Sequence, residues 1–237
     1  MTITLNGTTG ITSTVITETS DGNVGIGTTS PNDNLDVASA TPTLRLTDTD
    51  GFYSQIYGGS GSLVFRTDVG QATTGDTMQF VLSGSERMRI DSAGRVTMPY
   101  QPAFAAMRAL QPDINTSQTV VFNSAFVNVG NHYNTSNGKF TAPINGLYEF
   151  QIFFLHRYRS GNGYVSVYPL KNGALFLPGN NRIAYSQVNQ VQEQTCGGVF
   201  YASLAAGDTM EIRLEFNSTV TDMYGGDINS FCGKLIG

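Results

Sequence analysis

The chain has 237 residues, of which 40 % are hydrophobic and only 13 % charged, with 27 glycines and a net charge of −5. Residues 1–100 hold 10 acids against 5 arginines, and residues 101–237 hold 8 acids against 8 bases. With no basic run, binding nucleic acid by phosphate neutralisation is excluded, and no apolar run approaches membrane-spanning length, so membrane insertion is not expected either. The length suits one large domain or two smaller ones. Thr, Ser, Asn and Gly are plentiful, and Lys, Glu and Ala never cluster at helical spacing, so the expected class is all-β.

In chain order, Met1–Gly10 is polar and lacks a cationic start followed by an apolar core. No signal peptide is expected there, and synthesis is placed in a cytoplasm. Val15–Pro31 and Arg87–Pro99 echo each other. Each runs alternating strand, turn with glycine (Gly22, Gly94), short strand (Val24, Val96) and proline. Such turns tolerate the positive φ that tight hairpins need, and the pair reads as weak internal repetition. Between them, Thr43–Tyr53 alternates and then turns at Asp50–Gly51, and Ser62–Arg66 and Met78–Leu82 continue the pattern, with loops at 58–62 and 70–76. The apolar faces are thin. One copy buries too little to offset its chain entropy, and several chains joined in one shaft would supply the missing burial.

Three segments carry a resemblance over residues 1–99: Met-Thr-Ile-Thr-Leu-Asn-Gly-Thr-Thr-Gly-Ile-Thr at the start, Gly-Asn-Val-Gly-Ile-Gly-Thr-Thr-Ser-Pro at 22–31, and Glu-Arg-Met-Arg-Ile-Asp-Ser-Ala-Gly at 86–94. This region resembles the shaft and attachment repeats of phage tail-fibre proteins. The resemblance implies a virion location after synthesis in a bacterial host cytoplasm, and anchoring of residues 1–100 to a tail or baseplate protein. Tyr100–Pro102 reads as a stiff connector between two prolines, Pro99 and Pro102.

From Ala103 the pattern changes. Ala103–Ala106, Val121–Asn123, Asn128–Asn134, Gly138–Pro143, Gly146–Phe150, Lys171–Gly173, Leu204–Asp208 and Phe231–Ile236 follow in an order that resembles the globular head of the complement C1q family. The resemblance implies that residues 102–237 form a ten-stranded jelly roll that assembles as a homotrimer. It also implies that Ala103–Leu110, the most helix-like stretch, is a strand. The residues agree: Tyr148, Phe150, Ile152 and Phe154, like Met210, Ile212, Leu214 and Phe216, alternate with outward positions at the period of a half-buried strand. Cys232 and Lys234 depart from the family's usual Ser and aromatic without threatening the fold.

Chemistry is sparse. His132 and His156 are the only histidines, and neither has a nucleophile or carboxylate motif beside it, so structural roles are expected and no catalytic residue is named. Gly22–Thr29 has neither the lysine nor the following helix of a phosphate-binding loop. Cys196 and Cys232 are too few for a disulfide framework. The implied jelly-roll order puts another strand between theirs, beyond disulfide reach. No cofactor is expected. Asp222 and Asp227, in the loop Asn217–Asn229, offer at most a weak apical Ca²⁺ site unless three chains pool ligands.

By strand parity in the implied jelly roll, Arg157–Gly163, Gln187–Glu193 and Asn217–Asn229 lie at the free apex, and Lys171–Leu177 and Leu204–Asp208 at the base. The apical set presents Arg157, Tyr158, Arg159, Asn162, Asn189, Gln190 and Tyr224, residue types that bind sugars and peptides by stacking and forked hydrogen bonds. The expected function is attachment: a trimeric fibre or baseplate-associated protein whose head binds a host-surface glycan or protein without turnover. The alternatives are a trimerising cap, with another protein recognising the host, and a glycan-cleaving tailspike. The latter lacks a convincing acid pair and room for a long β-helix.

Overall fold

A computed structural model describes residues 16–47, 53–59, 62–67, 77–108, 111–114, 117–158, 163–188, 193–216, 221–223 and 229–237. The chain divides into two compact units, Met1–Thr97 and Met98–Gly237. Apart from a single 3₁₀ turn at Pro178–Asn180, every regular element described is a strand.

The first unit contains three small sheets. Strands β1 (Ile16–Glu18), β2 (Val24–Ile26) and β3 (Leu35–Val37) form one. Strands β4 (Thr43–Thr47), β5 (Tyr53–Gly59) and β6 (Ser62–Arg66) form the second, and β7 (Thr77–Leu82), β8 (Ser85–Asp91) and β9 (Val96–Thr97) the third. The two echoing sequences fold into the same hairpin. In the first, Thr19 N–H donates to Asn23 O (3.0 Å), Gly22 N–H to Thr19 O (3.0 Å) and Asn23 N–H to Thr19 Oγ1 (3.2 Å). In the second, Asp91 N–H donates to Arg95 O (3.1 Å), Gly94 N–H to Asp91 O (2.8 Å) and Arg95 N–H to Asp91 Oδ1 (2.9 Å). Gly22 and Gly94 hold φ of 81° and 78°, the left-handed position that ends a three-residue hairpin loop. The repetition is therefore conserved in geometry although the turn residues differ.

β3 was not anticipated. It pairs parallel with β2 after a short connector, and the approach is close: a Cβ on Gly27 would stand 2.0 Å from Ala38 O, so only glycine fits. Met1–Thr12, the turn at Asp50–Gly51 and the loop at 70–76 lie outside the described residues. None of the buried apolar side chains described belongs to this unit. Leu46 and Phe65 are 65 % and 53 % exposed, and Ile16, Leu35, Leu44, Leu63 and Leu82 are exposed like them.

The second unit is a two-sheet jelly roll. Its strands are β10 (Ala103–Arg108), β11 (Gln111–Ile114), β12 (Gln118–Thr119), β13 (Ser124–Val129), β14 (Tyr133–Asn134), β15 (Lys139–Thr141) and β16 (Gly146–Tyr158). They continue with β17 (Gly163–Lys171), β18 (Ala174–Leu175), β19 (Ala184–Val188), β20 (Glu193–Leu204), β21 (Thr209–Phe216), β22 (Thr221–Met223) and β23 (Asn229–Leu235). One sheet runs β13–β10–β23–β16–β20. The other is built on β21 and β17, flanked by β15 and β12 on one edge and by β18 and β19 on the other. Ala103–Arg108 is a strand, as the family resemblance implied.

The alternation read from sequence is the burial pattern. Tyr148, Phe150, Ile152 and Phe154 face in, as do Met210, Ile212 and Leu214, while Glu149, Gln151 and Phe153 face out. The core is largely aromatic: Phe104, Tyr133, Phe140, Phe150, Phe200 and Phe231 stack or meet edge to face at centroid distances of 4.6 to 6.4 Å. Glu211 is the exception on β21. It faces outward yet is only 4 % exposed, and Lys139 Nζ lies 3.5 Å from its carboxylate.

Glycines make room for these rings. Gly138 turns the chain into β15 with φ of 75°. Gly233 sits opposite Phe104 on one side and Phe150 on the other, and a Cβ there would stand 2.6 Å from both rings. Gly233→Val should cost at least about 3 kcal/mol, the upper range for overpacking a filled core. Chemical denaturation of the variant checks this, and an unchanged midpoint would show that the rings can give way.

Candidate binding surface

β16 is longer than any one partner on its inner edge. Tyr148–Phe153 pair with β23, and His156–Tyr158 then pair with β22. Its other edge pairs with β20 throughout, from Gly146–Leu204 to Arg157–Glu193. Strand ends Tyr158, Glu193 and Thr221 therefore gather at one end of the sandwich. The connectors 159–162, 189–192 and 217–220 are four residues each, too short to leave that end, so Gly163, Val188 and Phe216 of the other sheet lie there too.

The opposite end is where the chain enters. Leu235 N–H donates to Pro102 O (3.0 Å) and Gln101 Nε2 to Leu235 O (3.3 Å). The turn Ala205–Asp208 is clamped at this end. Asp208 Oδ1 accepts from Asn172 Nδ2 (2.8 Å), Oδ2 accepts from Ala205 N–H (2.9 Å) and meets Lys171 Nζ (2.8 Å), and Ala142 N–H donates to Asp208 O (2.8 Å). The Asn172 and Lys171 donors hold the Asp208 carboxyl at about 2, below the ordinary range. This cluster locks turns together and has the makings of a structural clamp.

Of the candidate contact residues, Arg157 is half-buried near the end of β16, in register with Glu193 on one neighbour and Asp222 on the other. Tyr158 closes the strand opposite Thr221. Arg159, Asn162, Asn189, Gln190, Tyr224 and Asp227 lie outside the described residues. One expectation needs correction: Asp222 is in a strand, not in a loop spanning 217–229. The far stretch of β16 has backbone groups to satisfy beyond the reach of β23, and Thr221–Met223 satisfies them. Among the described residues no group of three His, Cys, Asp or Glu side chains is placed to hold a metal ion.

The remaining sites read as architecture. His132 folds back over the turn at Gly130 and Asn131, and its carbonyl accepts from Thr141 N–H (2.8 Å). Cys196 and Cys232 are both free, and β16 runs between their strands, pairing Phe154 with Cys196 and Gln151 with Cys232. Burial pushes the Cys196 thiol up to about 12, so it is an inert core group, while Cys232 is only partly buried.

His156 is fully buried and stacks on Phe154 at 5.8 Å. Burial pushes its pKa down from 6.5 to about 4. Above pH 6.5 both folded and unfolded chains hold it neutral. Below that the unfolded chain takes up a proton and the folded one does not, so this contribution to stability is lost as the pH falls toward 4, at about 1.4 kcal/mol per pH unit. Carboxylates titrate in the same range, so the test is the difference between the stability–pH curves of the wild type and His156→Phe. The difference should open below pH 6.5 and level off near 4. Parallel curves would remove His156 as an acid-sensitive group.

The geometry has counterparts among known proteins. A model of the C1q domain matches residues 103–236, more than half of the chain. The chain belongs to the C1q domain family. Among solved structures it is similar to the globular domain of zebrafish complement 1qA protein, at 18 % identity and a TM-score of 0.40, over 58 % of this chain and 98 % of that one. It is also similar to murine APRIL, at 8 % identity and a TM-score of 0.40, over 57 % of this chain and 99 % of that one. Comparison with curated proteins gives no match.

Proposed function

We propose that the chain is a tail-fibre or baseplate-associated protein of a bacterial virus, trimeric, whose C1q domain attaches the particle to a host-cell receptor. The observation that carries this reading is the gathering of the strand ends Tyr158, Gly163, Val188, Glu193, Phe216 and Thr221 at the end of the jelly roll away from Pro102. That end carries Arg157, Tyr158, Arg159, Asn162, Asn189 and Gln190, while the opposite end is tied up in the Asp208 clamp. Three copies of a weak site on one particle gain avidity on a dense surface. The fibre context rests on the resemblance of residues 1–99, and the exposed apolar side chains of β4 to β8 suit a region that is completed by other copies.

The test is adsorption of the full-length chain to host cells. Replacing Tyr158, Arg159 and Tyr224 together with Ala should reduce adsorption at least about a hundredfold through loss of avidity, with assembly and melting temperature nearly unchanged. Loss of adsorption from changes at Leu204–Asp208 alone would place the site at the other end. Unchanged adsorption in both variants would favour a trimerising cap.

A further inference from the structure

On the outer face of the sheet built on β21 and β17, next to the strand ends Gly163 and Val188, two tyrosines and an arginine form a stack. Val165 and Val167 of β17 point into the core, so Tyr164 and Ser166 point outward, and Ser166 pairs with Tyr185 of β19. The rings of Tyr164 and Tyr185 lie 5.6 Å apart, inclined by 34°. The Arg182 guanidinium carbon sits 3.8 Å from the centre of the Tyr185 ring, and Arg182 Nη1 donates to Ser166 Oγ at 3.2 Å. Ser166 is fully buried beneath this stack, while Tyr185 remains 42 % exposed and Arg182 is exposed.

The charge is what marks this cluster. Neighbouring cations on the same face are neutralised: Arg213 meets Glu215 at 3.3 Å and Lys139 meets Glu211 at 3.5 Å. Among the described residues no carboxylate pairs with Arg182. Its guanidinium lies over the Tyr185 ring and is anchored through one nitrogen to Ser166, and a guanidinium carries five N–H donors, so one such bond leaves others for a ligand. A pre-oriented guanidinium with free donors suits a carboxylate, which it can take in two parallel hydrogen bonds. Exposed tyrosine surface beside it suits the apolar face of a sugar ring.

We infer that the stack of Tyr164, Tyr185 and Arg182 is a binding site for a saccharide that carries a carboxylate. The inference rests on the attachment reading and deepens it, by naming a second surface of the same domain and the chemical class it takes. The sugar ring packs on the tyrosines, the carboxylate pairs with Arg182, and Gln187, which accepts from the Tyr185 hydroxyl at 3.4 Å, borders the site.

The experiment is calorimetric titration of the full-length chain with oligogalacturonate and, separately, with the same oligomer fully methyl-esterified. The free acid should bind and the ester should bind at least about tenfold more weakly, the scale of a hydrogen bond to a charged group. Arg182→Gln should weaken the acid by a similar factor and erase the preference for it. Tyr185→Leu should weaken both ligands. Light scattering should show each variant assembling like the wild type, as expected for exposed positions. No binding of the acid by the wild type, equal binding of acid and ester, or unchanged binding in both variants would overturn the site. Cell adsorption distinguishes the two readings. A wild type that adsorbs without binding oligogalacturonate overturns this site and keeps the attachment function. A wild type that binds oligogalacturonate but adsorbs to no host cell keeps the site and overturns the attachment function.

Discussion

Phe150→Ala should destabilise the C1q domain by about 3–5 kcal/mol, the cost of removing a fully buried ring from a core that cannot collapse around the gap. Phe150 is completely buried on β16, the strand that pairs with β20, β22 and β23. Its ring meets five others: Phe104 at 6.4 Å, Phe140 at 5.6 Å, Tyr148 at 6.3 Å, Phe200 at 5.3 Å and Phe231 at 5.8 Å. These rings come from both sheets, so none can move in without pulling its strand out of register. Domain stability is only about 5–15 kcal/mol, and the variant should therefore lose a large share of it. Denaturant unfolding monitored by circular dichroism measures the loss. A change below about 1 kcal/mol would mean that the aromatic core repacks freely, against the close packing that protein interiors show.

The second large effect concerns residues 16–97, none of whose described apolar side chains is fully buried in a single copy. Leu44, Leu46, Ile56 and Phe65, with Met78 and Phe80 of β7, line a hollow of about 360 Å³ that is open to solvent. If a single chain were the working unit, Leu46→Asp with Phe65→Asp would exchange exposed groups for exposed groups, and the effect would stay within about 0.5 kcal/mol. If copies cover this face, each replacement forfeits about 1.5–3 kcal/mol of burial and places a carboxylate in the seam. The loss is then repeated in every chain of the assembly. The double variant should therefore fall apart into smaller species or precipitate at concentrations where the wild type is assembled, which analytical ultracentrifugation will show. Identical sedimentation of the two would leave this face without a partner.

The C1q domain was legible in the sequence because its signals are local. Period-two alternation over Tyr148–Phe154 and Met210–Leu214 marks the buried faces, and Gly138 and Gly146 bound their elements. The paired hairpins at Gly22 and Gly94 were legible for the same reason, since a left-handed glycine closes each turn. What was missed depends on distant residues. Thr221–Met223 has little intrinsic strand signal and becomes β22 because β16 continues past β23. β3 depends on parallel pairing with β2, and Gly27 shows its purpose only once Ala38 is beside it. Glu211 reads as a solvated charge until Lys139, far away in sequence, covers it. The stack of Tyr164, Tyr185 and Arg182 is of the same kind. Its members come from β17 and from the segment around β19, and only their antiparallel register brings ring, ring and guanidinium together. The candidate contact residues were placed by strand parity, which needs only the order of the strands.

The account depends most on several copies of the chain acting as one body, because both the covering of the apolar face around Leu46 and Phe65 and the avidity of weak receptor sites require it. Multi-angle light scattering of the full-length chain, followed on dilution through the micromolar range, tests this directly. It should give a mass of three chains that persists on dilution, and a stable monomer across that range would contradict the account.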